Sequence, residues 1–158
     1  MIKGKLIQKH LPADYADCFH REIISDKVLT VDRLFSLVFK EYPKCVVWLL
    51  KTRDALVKPF GLKGGISFEE LIIERNSEEI ILGKYDKHLI FWVSVYSSSG
   101  KDTQTAAIST VVKYNNLMGR VYFYGILVFH KIVVGYLFRR ALRRSSVVLS
   151  QQGDLKSE

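Results

Sequence analysis

Four histidines, His10, His20, His88 and His130, are the side chains of this chain suited to proton transfer near neutral pH. Their spacing gathers no metal site, because none stands one helical turn or one short loop from a second ligand-type residue in a recognised pattern. Cys18 and Cys45 show neither zinc spacing nor a C-x-x-C motif, and each is expected to be a small apolar residue in a reducing compartment. The chain has no G-x-S-x-G elbow, no glycine-rich phosphate loop, no local cysteine-nucleophile signature and no close pair of carboxylates in an apolar setting. A histidine acting as acid or base leaves no local motif. The balance therefore favours binding over catalysis, with no catalytic residue, metal or cofactor assigned.

Seven residues are candidates for a binding site, and each has a plain alternative. His130, followed by Lys131 in a very apolar segment, would offer a polar contact inside a cavity or else bond to a backbone carbonyl. Arg53 suits a ligand carboxylate or phosphate, or a carboxylate of its own chain. Trp48 and Trp92 would form aromatic walls, and at their spacings they are core residues first. His88, Tyr96 and Tyr114 are polar-tipped groups near strand ends that would rim an opening.

The elements that must position them follow from periodicity. Tyr15 to Ile24 is a first strand. Thr30 is a good N-cap for a short helix in which Val31, Leu34, Phe35, Val38 and Phe39 form one face. Pro43 suits the first turn of a second short helix that Gly61 and Gly64-Gly65 break. Beyond Gly65 the period falls to about two, and Phe68 to Glu74, Glu79 to Lys84, His88 to Ser97 and Thr103 to Tyr114 are expected as strands joined by hairpin-length links. In the third of these Leu89, Phe91, Val93 and Val95 point one way, and His88, Ile90, Trp92, Ser94 and Tyr96 the other. The apolar face calls for a helix, and Leu117 to Arg144 supplies one. The resulting order predicts an α+β fold over residues 1–149, with a polar tail over residues 150–158 expected to fray.

Composition narrows the setting. At 158 residues with 48% hydrophobic and 25% charged side chains, the chain can bury one core without staples. The net charge of +8 lies at the ends: residues 117–158 hold 7 Lys and Arg against 2 Asp and Glu, whereas residues 66–116 hold 5 against 7. Arg139, Arg140, Arg143 and Arg144 complement a helix C-terminus, or meet anionic head groups or another acidic partner. Nucleic acid is not expected, because no strand interleaves aromatic with basic residues. The N-terminus lacks the apolar run of a secretory signal. Eighteen residues from Val121 to Phe138 would reach about 27 Å, enough to span hydrocarbon. Lys131 near the middle costs about 2.5–3.5 kcal/mol there, and the sheet needs this helix as cover. A core helix is the expectation, with its outer side covered by a second protomer or a lipid surface because it is apolar nearly all round.

The element order resembles the helix-grip fold of the START-like superfamily, a curved antiparallel sheet with two short helices and a long C-terminal helix lying across it. Closer still, Trp48-Leu49-Leu50 with Arg53-Asp54, Phe60-Gly61-Leu62, the run from Gly83 to Leu89, Thr110-Val111-Val112 with Asn115-Asn116, and Gly119-Arg120-Val121-Tyr122 leading to Phe129-His130 are together similar to the bacterial domain-of-unknown-function family 2867. The resemblance spans roughly residues 10–145. A proline commonly precedes the Phe-His pair in that family, where this chain has Val128. Some relatives follow a dinucleotide-binding domain, which implies an accessory, ligand-holding role. The expectation is a cytoplasmic domain holding a hydrophobic or amphipathic small molecule between sheet and last helix. The alternative is a protein-interaction or peripheral inner-membrane module that uses the apolar, basic-ended helix, with a homodimer compatible with either. A histidine-based enzyme ranks third.

Overall fold

The alternating segments form an antiparallel sheet in the computed structural model, which describes residues 2–24, 28–41, 43–44, 67–99, 103–145 and 148–149. Its strands are β1 (Tyr15–Ile24), β2 (Ile72–Arg75), β3 (Glu79–Tyr85), β4 (Leu89–Ser99), β5 (Gln104–Tyr114) and the two-residue β6 (Val148–Leu149). They lie in the order β2-β3-β4-β5-β1-β6, so four strands follow one another as a meander and β1 returns to pair with β5. Among the described residues two α-helices, α1 (Val31–Phe39) and α2 (Leu117–Arg144), accompany the sheet, giving an α+β architecture of a curved open sheet with a long C-terminal helix. The second short helix expected after Pro43, with Trp48 and Arg53, falls outside the described residues apart from its first positions.

Register sorts the side chains into two faces. β4 and β5 pair Phe91 with Val112 and Val95 with Ile108, and β5 and β1 pair Ile108 with Phe19. These residues face the helices, as the alternation in β4 implies. The main core joins Phe19, Leu34, Leu37, Val95 and Ile108 to Leu137, Phe138, Ala141 and Leu142 of α2. α1 enters this core because Thr30 caps it, its hydroxyl oxygen accepting from the Arg33 amide at 3.3 Å.

Two local departures from periodicity have physical causes. The strand expected from Phe68 opens instead as a 3-10 turn over Phe68–Leu71, because Ser67 caps the Glu69 amide and two acids stand in its first turn. The mixed face of the sheet is also covered. A 3-10 helix over Ile7–His10 lays Leu6 and Ile7 on Ile81, Trp92 and Val111, and the carboxylate of Glu79, only 1% exposed, accepts from the amides of Leu6 (2.7 Å) and Ile7 (3.1 Å) and from Ser94 Oγ (2.7 Å).

Candidate functional site

The long helix is fixed at its start by the paired asparagines. Asn116 caps it through Oδ1, which accepts from the Gly119 amide at 3.0 Å, while its Nδ2 donates to the Lys87 carbonyl at 3.2 Å and Asn115 Nδ2 to the Asp86 carbonyl at 2.8 Å. The first turn of α2 thus rests on the β3–β4 hairpin. Gly119 makes the approach close enough that a Cβ there would stand 1.9 Å from the His88 carbonyl oxygen.

From this anchor α2 crosses the sheet and brings His130 over β1 and β5. Its Nε2 lies 3.2 Å from Thr110 Oγ1 and 3.7 Å from Asp17 Oδ2. The hydroxyl of Tyr15 donates to the same Asp17 oxygen at 2.5 Å. Asp17 is 2% exposed, and its other oxygen, Oδ1, has no hydrogen-bond partner among the described residues. A buried polar atom left in that state costs about 1–3 kcal/mol, more when charged. Burial holds the His130 imidazole below its ordinary pKa, against the opposing pull of Asp17 and with help from Lys131. The environment thus favours the neutral ring over the cation. Burial, then the bond to Asp17, pushes the Tyr15 phenol far above its usual range, so it remains a donor.

Around this polar group the packing is aromatic and partly open to solvent. Leu89, Val112 and Phe123 are buried, whereas Tyr15, Phe91, Tyr114, Tyr122, Ile126 and Leu127 packed against them are only partly so. Phe123 links the set, its ring centroid 4.8 Å from Tyr15, 5.8 Å from Tyr114 and 6.3 Å from His130. The other half of the helix-facing core, beneath α1, is larger and mainly aliphatic, with Phe19, Phe35 and Phe138 buried among its Leu, Ile and Val side chains.

Of the residues singled out from sequence, His130 and Tyr114 come together around Phe123. His88 stands nearby at the foot of α2, its Nδ1 3.3 Å from Asn116 Oδ1, where it supports the helix start. Trp92 and Tyr96 face away from α2, since register pairs Trp92 with Gly83 and Val111, and Tyr96 with Glu79 and Ala107. Trp92 lies under His10, rings stacked at 4.3 Å. These two tryptophan-face residues therefore share no site with His130. Trp48 and Arg53 lie outside the described residues.

Tyr15, Asp17 and Thr110 are not among the seven site candidates of the sequence, although a signal exists. Asp17 occupies the phase of Tyr15, Phe19 and Ile23 in β1, and Thr110 that of Ile108 and Val112 in β5, so each is a polar residue in an apolar register. His, Cys, Asp and Glu side chains form no cluster of three that could hold a metal ion among the described residues.

A family model described as "Protein of unknown function (DUF2867)" matches residues 11–137, which takes in β1, the meander and most of α2. No curated protein and no solved structure matches the chain.

Proposed function

Since the chain belongs to the DUF2867 family, whose description assigns no activity, we propose from its own geometry that it binds a hydrophobic or amphipathic small molecule between the sheet and the N-terminal half of α2. The observation that carries this reading is the buried Asp17 carboxylate, one oxygen bonded to Tyr15 and the other without a partner among the described residues, beside partly buried aromatic walls. Such a site takes an apolar body by desolvation and fixes it by one donor group, the division of labour usual for small-molecule pockets. A ligand hydroxyl, amide or amine would complete Asp17. Neutral His130 would orient it by donating or accepting according to its tautomer. Tyr114 would stand toward the rim.

The reading is tested by native against denaturing mass spectrometry of protein purified without detergent. The expected result is a small-molecule adduct present in the native spectrum and lost on denaturation, and absent or reduced in an Asp17→Asn variant that keeps its fold. A native mass equal to the bare chain, with no melting shift from a panel of amphiphilic alcohols and amines, would overturn it.

A further inference from the structure

The side of α2 turned away from the sheet carries a continuous apolar stripe. Leu117, Val121, Tyr124, Val128, Ile132 and Tyr136 are 47–74% exposed, and their spacing of three or four residues aligns them over about 28 Å of helix. Arg139 and Arg143, both exposed, prolong the same line. By length and composition α2 could cross a membrane, yet only 22% of its most apolar stretch is buried in the fold. A helix that served the core alone would hide most of that surface.

Charge selects the occupant. α2 contains Arg120, Lys131, Arg139, Arg140, Arg143 and Arg144, and no Asp or Glu. Arg140 donates to the Glu41 carbonyl at 2.5 Å and Arg144 lies 3.6 Å from the Glu41 carboxylate. Arg139 and Arg143 have no carboxylate partner among the described residues. A second copy packed parallel along the stripe would set these arginines against their counterparts, and one packed antiparallel would offer them no carboxylate, since α2 has none. A transmembrane path would strip Phe123, Leu137, Phe138, Ala141 and Leu142 from the core they fill and place Lys131 in hydrocarbon. An anionic bilayer met side-on raises neither objection.

We propose that the solvent face of α2 docks in the plane of an anionic lipid bilayer, its apolar stripe at the acyl boundary and Arg139 and Arg143 on head-group phosphates. Tyr124 and Tyr136 put amphipathic rings at the level of the interface. The surface lies across the helix from Asp17 and His130, so docking and small-molecule binding stand or fall separately.

Flotation of the full chain with vesicles of phosphatidylcholine, alone or mixed with phosphatidylglycerol, tests this. Binding is expected to the mixed vesicles only and to weaken as salt is added. Neutralising both arginines in an Arg139→Gln, Arg143→Gln variant should weaken it by a factor on the order of 30, and Val128→Glu with Ile132→Glu should abolish it while circular dichroism stays unchanged. Equal or absent binding to the two vesicle types would overturn the proposal, as would variants that fold and bind like the parent. A dimer in sedimentation that Val128→Glu dissociates, with no vesicle binding, would assign the stripe to a second copy instead.

Discussion

Tyr15 donates its phenolic hydrogen to Oδ2 of Asp17, 2.5 Å away and two residues along the same strand. Neighbours at this spacing share a face of the sheet, so the pair forms as soon as β1 is extended and needs no distant element to bring it together. Tyr15→Phe removes the donor from a carboxylate that is 2% exposed. A loss of about 1.5–3 kcal/mol is expected, read by urea denaturation with unchanged slope.

The imidazole of His130 makes stability depend on pH. Its folded pKa is held below 6.5, chiefly by burial, with Lys131 adding to the effect and Asp17 opposing it, so below pH 6.5 the unfolded chain takes up this proton first. The contribution is complete above pH 6.5 and is lost as pH falls toward and through the folded value. His10 and His20 are depressed too, each first by burial. The prediction is therefore differential: His130→Gln should flatten the acid limb of the stability curve relative to the parent, and an unchanged limb would contradict it.

Gly119 and Gly125 occupy the same helix six residues apart and should respond oppositely to alanine. At Gly119 the added Cβ meets a backbone carbonyl at 1.9 Å, which cannot swing aside, whereas at Gly125 it meets nothing within 4 Å. Gly119→Ala is expected to lose stability by about 1–3 kcal/mol or more. Gly125→Ala should gain about 0.8–1 kcal/mol from helix propensity. Paired thermal melts decide the matter.

Glu79 holds the N-terminal segment to the sheet. Glu79→Ala would strand the Leu6 and Ile7 amides and the Ser94 hydroxyl, three groups now satisfied by one buried carboxylate. Hydrogen exchange at Leu6 and Ile7 should approach that of an unprotected amide, while protection in β4 and β5 persists. Uniform loss of protection would mean that the segment and the sheet unfold together.

Much of the fold was legible because it is written in local periods. Tyr15–Ile24, the Thr30 cap, the meander and the full reach of Leu117–Arg144 follow from alternation, capping residues and the Asn115-Asn116 break. The 3-10 helix at Ile7–His10 was not, since its stability comes from Glu79, more than seventy residues distant in sequence. The site was legible in part. His130 stands out as the polar residue of an apolar helix, but its partners Asp17 and Thr110 meet only through the β1–β5 register, with His130 delivered above them by α2. Trp92 and Tyr96 attract notice as aromatics, and register alone assigns them to the face under the N-terminal segment.

The placement of β1 beside β5 has a consequence for synthesis. β2 to β5 can zip together as each hairpin leaves the ribosome, yet β1, made first, finds its partner only after about 80 further residues have been added. Until then the nascent chain carries an apolar, hydrogen-bond-hungry segment with nothing to pair against. Closing the β1–β5 pair across residues 25–103 is therefore the step of sheet formation that costs the most loop entropy, and it sets the folding rate more than the local hairpins do.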